Sequence, residues 1–213
     1  MGKASWQERA RGLAAPLVEL LARMGVTPTA LTLSGLVLHL ASGVVIALGM
    51  LRTGGILLLV AAVCDGLDGA VARRTGRVSR FGAFLDSTVD RVDETVVLGG
   101  IAVFFPRWGG TAGEVWSAVV LLGLAGSLIT SYTRARAEGL GLECKVGVFE
   151  RPERVALTVL GLLLGARFLG PALLVLTLLA WLTVIQRILH VRRLLAREPV
   201  PARASKSTPA EGV

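Results

Sequence analysis

The feature that most constrains this chain is a run of 21 residues, 30–50, without an Asp, Glu, Lys or Arg. At about 1.5 Å per residue, a helix of that length crosses a hydrocarbon layer about 30 Å thick. Residues 115–133 and 168–186 are likewise free of formal charge. Over the whole chain 53% of residues are hydrophobic and 18% charged, with a mean hydropathy of +0.67. A soluble globule carries about 25% charged residues. The composition therefore argues against disorder and against an ordinary soluble enzyme. It predicts an all-α integral membrane protein. Its 213 residues allow one domain, or at most two small ones. Cys64 and Cys144 form no CxxC motif, so neither a disulfide framework nor a zinc site is expected.

Three shorter apolar runs, 53–64, 95–105 and 155–166, continue directly into charged residues. They read as spans with one polar half buried in a helical bundle. Six spans result, at about 29–50, 54–74, 82–105, 113–136, 152–167 and 170–192. Residues 29–194 would form the transmembrane domain, and 195–213, rich in Pro, Ala, Ser and Lys, a disordered cytoplasmic tail. Ahead of them, Trp6, Ala10, Leu13, Leu17, Leu20 and Met24 recur at helical spacing. They predict an amphipathic interfacial helix within 1–28, against the plainer reading of a helix packed on its own protein. The charges orient the bundle. Of 23 Lys and Arg, 20 fall on the side holding both termini, and only Arg52, Arg107 and Arg167 fall on the other. The positive-inside rule then places both termini in the cytoplasm. The net charge of +8 reports this orientation, and no nucleic-acid partner is expected.

Counting down from the outer ends of the spans brings polar groups to one depth. At about 1.5 Å per residue, Asp65 lies about 18 Å down, Asp68 about 22 Å, Asp90 about 24 Å and Asp86 about 30 Å. On the same count Arg151 and Arg154 lie about 20–24 Å down, Arg187 about 25 Å and Arg134 about 30 Å. Ionisable groups inside a membrane are costly and mark functional sites. Asp65 and Asp68 are three apart, and Asp86 and Asp90 four apart, so each pair shares one helix face. Hard oxygen donors without His or Cys suit Mg²⁺, Mn²⁺ or Ca²⁺. Gly66, Gly69 and Ala72 keep the backbone open to a phosphate or nucleotide, although small residues also serve helix packing. An acidic cluster also suits a cation transporter or channel. Such a pathway needs access from both sides, and the outer halves of spans 2, 3 and 5 are almost purely apolar.

The order D-x-x-D-G-x-x-A-R-x8-G-x3-D-x3-D runs through Asp65, Asp68, Gly69, Ala72, Arg73, Gly82, Asp86 and Asp90. In all eight fixed positions it resembles the signature of the CDP-alcohol phosphotransferases. The resemblance covers nearly the whole chain, and it implies a chemistry. A CDP-linked lipid would bind through its pyrophosphate on metal, Mg²⁺ or Mn²⁺ and two ions, held by Asp65, Asp68, Asp86 and Asp90. An acceptor hydroxyl would attack the lipid-side phosphorus and release CMP, with Asp90 as general base. Asp65, Asp68, Gly69, Ala72 and Arg73 would line the nucleotide path, together with Pro28 and Thr32 from a less specific motif at the start of span 1. A homodimer is also implied.

Arg134, Arg151, Arg154 and Arg187 resemble the acceptor site of the inositol-phosphate-using branch of that family. Arg suits bidentate phosphate recognition. A diacylglycerol or an ether-lipid donor fits equally well. A G-K-x-K-T stretch, typical of the glycerol-phosphate branch, is absent, and that acceptor is the alternative. Asp93 and Glu94 lie outside the signature and read as structural. His39 and His190 read as core or interface residues. Gly161 and Gly165 form G-x-x-x-G, which serves contact within one chain as readily as dimerisation.

Overall fold

The protein is described here by a computed structural model covering residues 15–108 and 110–196. These form helices and connecting turns, with no strand among the described residues. The helices are α1 (15–23), α2 (Pro28–Ala47), α3 (Leu51–Arg74), α4 (Arg80–Phe104), α5 (Gly110–Gly139), α6 (Arg151–Leu164) and α7 (Ala166–Leu195), with a 3-10 turn at Phe105–Trp108. By length and composition, four segments can cross a membrane unaided: Pro28–Ala47, Leu51–Arg74, Thr111–Gly139 and Ala166–Leu195. The other two expected spans form helices near the expected bounds but fall short of that standard, for two reasons. The stretch of α4 up to Glu94 carries Arg80, Asp86, Asp90, Arg91, Asp93 and Glu94, and α6 has only 14 residues.

Local chemistry sets the helix ends. Thr27 accepts a hydrogen bond from the Ala30 N–H at the start of α2, and Ser79 accepts one from the Gly82 N–H at the start of α4. Glu150 and Glu153 form a reciprocal capping box on α6. Gly165, at φ +93°, makes the sharp turn into α7 that a side chain would oppose.

Successive long helices alternate in direction, and this explains the segregation of polar from apolar side chains. Ile46 is late in α2, Leu58 early in α3, Ile101 late in α4, Leu162 late in α6 and Leu173 early in α7. All five lie in one buried apolar cluster. At the opposite end the same alternation gathers Thr32, Asp68, Asp90, Arg154 and Arg187. Outward, Val37, Val44, Ile56, Val63, Leu122 and Leu178 are each at least half exposed. A surface of that kind belongs in lipid.

Helices α2 and α4 touch backbone to backbone. A Cβ at Gly100 would collide with the main chain of Gly43. Gly100→Ala is therefore expected to destabilise the protein by about 1–3 kcal/mol through overpacking. The drop should appear as a lower melting temperature in detergent. Gly161 faces Leu169 and Ala172 of α7, so this half of the G-x-x-x-G motif serves packing within the chain.

Helix α1 shows both behaviours weighed from the sequence. Val18 is buried against Leu31, Leu67 and Val71, while Leu17, Leu20 and Met24 are exposed. Glu19 accepts hydrogen bonds from Arg23 and, at 2.9 Å, from Arg74 at the end of α3. Trp6, Ala10 and Leu13 of the expected amphipathic stripe lie outside the described residues, as does the tail beyond 196.

Candidate active site

Three cavities meet at the polar end of the bundle. The largest, about 870 Å³, lies between α3, α4 and α6. Asp65, Asp68, Asp86, Asp90, Gly66, Gly69, Arg73 and Arg151 line its polar part, and Leu59, Val159, Leu160 and Leu163 its apolar part. The second, about 410 Å³, is lined by Pro28, Thr32, Asp68, Gly69, Ala72, Arg73, Gly82 and Asp86. The third, about 180 Å³, is lined by Asp90, Thr130, Ser131, Arg134, Glu150, Arg151, Arg154 and Arg187. Asp68, Asp86, Gly69 and Arg73 belong to both the first and second cavities, and Asp90 and Arg151 to both the first and third. The structure thus brings together all eight signature residues. It also gathers the four arginines singled out for the acceptor.

Asp68 is buried, and Thr32 Oγ1 donates to its Oδ2 at 2.7 Å. The start of α2 thereby orients a signature carboxylate, which gives Thr32 a physical task. Arg151, expected from the sequence at the acceptor phosphate, lines the third cavity, and its guanidinium is engaged by carboxylates. Nη2 donates to Asp65 Oδ2 at 3.1 Å, Nη1 lies 2.8 Å from Asp90 Oδ1, and Nη2 lies 3.6 Å from Asp93 Oδ2. Arg151 thus lies as a counter-ion among Asp65, Asp90 and Asp93.

The two buried arginines are held in place by other groups. Arg154, 2% exposed, donates through Nε and Nη2 to both oxygens of Glu94, at 2.7 and 3.2 Å. Arg187 donates to the carbonyls of Val146 and Thr130. Arg134 is exposed and donates to Glu138 at 2.9 Å. Glu94, read as structural from the sequence, is the partner that fixes Arg154.

His39 and Asp93 are closer to the chemistry than the sequence suggested. Both are 1% exposed. His39 Nδ1 lies 3.4 Å from Asp93 Oδ2, and Nε2 lies 3.9 Å from Asp65 Oδ2. Thr32, Gly35, His39 and Ser42 form one buried stripe of α2, so helical spacing from Thr32 was the available signal.

The donor set suits a hard divalent cation. Four carboxylates face Arg73 and Arg151 around the largest cavity, which leaves it negative. His39, Asp65 and Asp93 also bring ligand atoms within 4.8 Å of one another. There, however, the Arg151 guanidinium already faces both carboxylates.

A membrane helix bundle with this motif around two adjoining cavities belongs to the class of enzymes that move phosphorylated groups between alcohols. More narrowly, the family model described as CDP-alcohol phosphatidyltransferase matches residues 25–197, and the chain belongs to that family. It is a membrane transferase of phospholipid synthesis. The chain is 40% identical over 173 residues to the archaetidylinositol phosphate synthase of Methanothermobacter thermautotrophicus, covering 79% of this chain and 85% of that one. It is 35% identical to the phosphatidylinositol phosphate synthase of Streptomyces avermitilis, covering 100% of this chain and 93% of that one. Among solved structures it resembles the Mycobacterium tuberculosis phosphatidylinositol phosphate synthase PgsA1. The form with CDP-DAG bound gives a TM-score of 0.77 at 29% identity, covering 87% of this chain and 97% of that one. The form with manganese and citrate gives 0.78 at 29% identity, covering 87% and 92%.

Proposed function

We propose that this enzyme transfers a phosphatidyl-type group from a CDP-linked lipid to a hydroxyl of inositol phosphate and releases CMP. The observation that carries the reading is that Asp90 and Arg151 line both the aspartate cavity and the arginine cavity. A donor held in the first and an acceptor held in the second would meet at Asp90. Relatives named for inositol phosphate products, from archaeal and bacterial sources, support this acceptor over glycerol phosphate.

In this reading the 410 Å³ cavity takes the cytidine nucleotide, against Thr32, Gly69, Ala72 and Arg73. The lipid chains leave along Leu59, Val159, Leu160 and Leu163 toward the bilayer. Asp65, Asp68, Asp86 and Asp90 would hold two Mg²⁺ or Mn²⁺ ions, which would neutralise the pyrophosphate and the charge that develops on departing CMP. Asp90 accepts the proton of the acceptor hydroxyl as its oxygen attacks the lipid-side phosphorus. Arg134, Arg154 and Arg187 bind the acceptor phosphate, and Arg151 keeps Asp65 and Asp90 in register. The reading includes six spans in the cytoplasmic membrane, with both termini and the site on the cytoplasmic side. It also includes a homodimer, a transmembrane domain over 29–194 and a cytoplasmic tail.

The acceptor assignment predicts a selective defect. Arg187→Ala and Arg154→Ala should raise the KM for inositol phosphate by roughly ten- to a hundredfold, as loss of a charge-assisted hydrogen bond of about 1.5–3 kcal/mol requires. CDP-lipid binding and use of free inositol should change little. Arg134→Ala is the cleaner variant, because an exposed side chain can be removed without uncovering a buried partner such as Glu94. Equal losses with and without the acceptor phosphate would contradict the assignment.

A further inference from the structure

We infer that α2 supplies a seat for Asp65, formed by the bare Cα of Gly35 and the imidazole of His39, with Asp93 of α4 packed against the far side of the ring. The inference rests on the reading of Asp65 as a metal ligand. It makes His39 a positioning residue that acts on the metal through Asp65.

Three observations carry it. First, a Cβ at position 35 would collide with Asp65 Oδ1. That oxygen therefore lies against the backbone of α2, in space that only glycine leaves free. Second, His39 sits one helical turn beyond Gly35. Its Nδ1 is 2.9 Å from the Gly35 carbonyl oxygen, to which Nδ1–H donates. This bond fixes the ring so that its Nε2 edge packs against Asp65 Oδ2, at 3.9 Å, a van der Waals wall rather than a hydrogen bond. Third, Asp93 is fully buried, and neither of its carboxylate oxygens has a hydrogen-bond partner. Burying a carboxylate without hydrogen bonds is costly. Its closest ionisable neighbours are His39 and, farther, Arg151.

Asp65 is thereby confined from two sides, by α2 through Gly35 and His39 and by α6 through Arg151. Groups that orient a metal-binding carboxylate typically change metal affinity by about 10–100-fold when removed. Ser42 provides an internal comparison. It is buried on the same helix and donates to the Gly54 carbonyl at 2.8 Å, in a polar contact between α2 and α3 that involves none of the site residues.

The test is Mn²⁺ titration of the full-length protein in detergent, followed by electron paramagnetic resonance, for the wild type, His39→Gln, Gly35→Ala and Ser42→Ala. Melting temperatures are recorded alongside. The Kd for Mn²⁺ should rise at least about fivefold in His39→Gln and in Gly35→Ala, and stay at the wild-type value in Ser42→Ala even where that variant melts earlier. In CMP-release assays the KM for Mn²⁺ should rise with it, while the KM for the acceptor stays unchanged. A smaller rise, or an equal rise in Ser42→Ala, overturns the inference and leaves the metal reading of Asp65 intact. Should His39→Gln fail to fold, Gly35→Ala carries the same comparison. A wild-type protein that bound no Mn²⁺ would instead remove the metal reading itself, and the seat with it.

Discussion

Asp90→Asn is expected to lower CMP release by about 10²–10⁴-fold, the usual scale for loss of a general base, while CDP-lipid binding stays near normal. Asp90 is where the two substrates would meet on the proposed reading, since it lines both the aspartate cavity and the arginine cavity. The amide cannot take the proton of the attacking hydroxyl. It keeps the size of the carboxylate, and Arg151 retains its bond to Asp65 at 3.1 Å, so the cavity should hold its shape. Single-turnover CMP release together with equilibrium CDP-lipid binding checks the prediction. Near-normal turnover would remove Asp90 from the chemistry.

Asp65→Asn should fail in a different way. Asp65 pairs with Arg151 and sits beside His39, at the junction of α2, α3 and α6. Its loss should weaken Mn²⁺ binding by more than the roughly 10–100-fold typical of an outer, orienting group, and nucleotide binding should weaken in parallel. Turnover then falls because the donor is no longer held, and raising both Mn²⁺ and CDP-lipid should recover part of it. In Asp90→Asn added metal should restore only what is lost with one of four ligands, and turnover should stay low because the base is missing. If added metal rescued turnover in both variants alike, Asp90 would be a metal ligand and not the base.

The helices that carry the site were legible because their signals are local. Charge-free runs marked α2, α5 and α7. The fixed spacing of Asp65, Asp68, Asp86 and Asp90 marked the facing stretches of α3 and α4. A simple count of helical rise brought Arg154 and Arg187 to the same depth as the aspartates, and both line one cavity with Asp90. What the sequence left open depends on contacts between distant segments. Arg151 and Arg154 are three residues apart on α6 and look equivalent in sequence. Packing gives the first to Asp65 and Asp90 and the second to Glu94. His39 looked isolated because its partners, Asp65 and Asp93, come from α3 and α4. Helix α6 falls short of the length rule for a span because it has only 14 residues, and Arg151 in its first turn lines the cavity.

The most direct test of the central claim is a CMP-release assay on the purified protein, with CDP-diacylglycerol or its ether-lipid counterpart as donor. Inositol phosphate, glycerol phosphate, inositol and serine are compared as acceptors, with and without Mg²⁺ or Mn²⁺. The account predicts metal-dependent CMP release that is fastest with inositol phosphate, and a phospholipid product that retains the acceptor phosphate. CMP release that is indifferent to inositol phosphate and fastest with another acceptor would contradict the acceptor assignment. Failure to release CMP from any CDP-lipid, combined with movement of divalent cations across vesicles, would contradict the account as a whole.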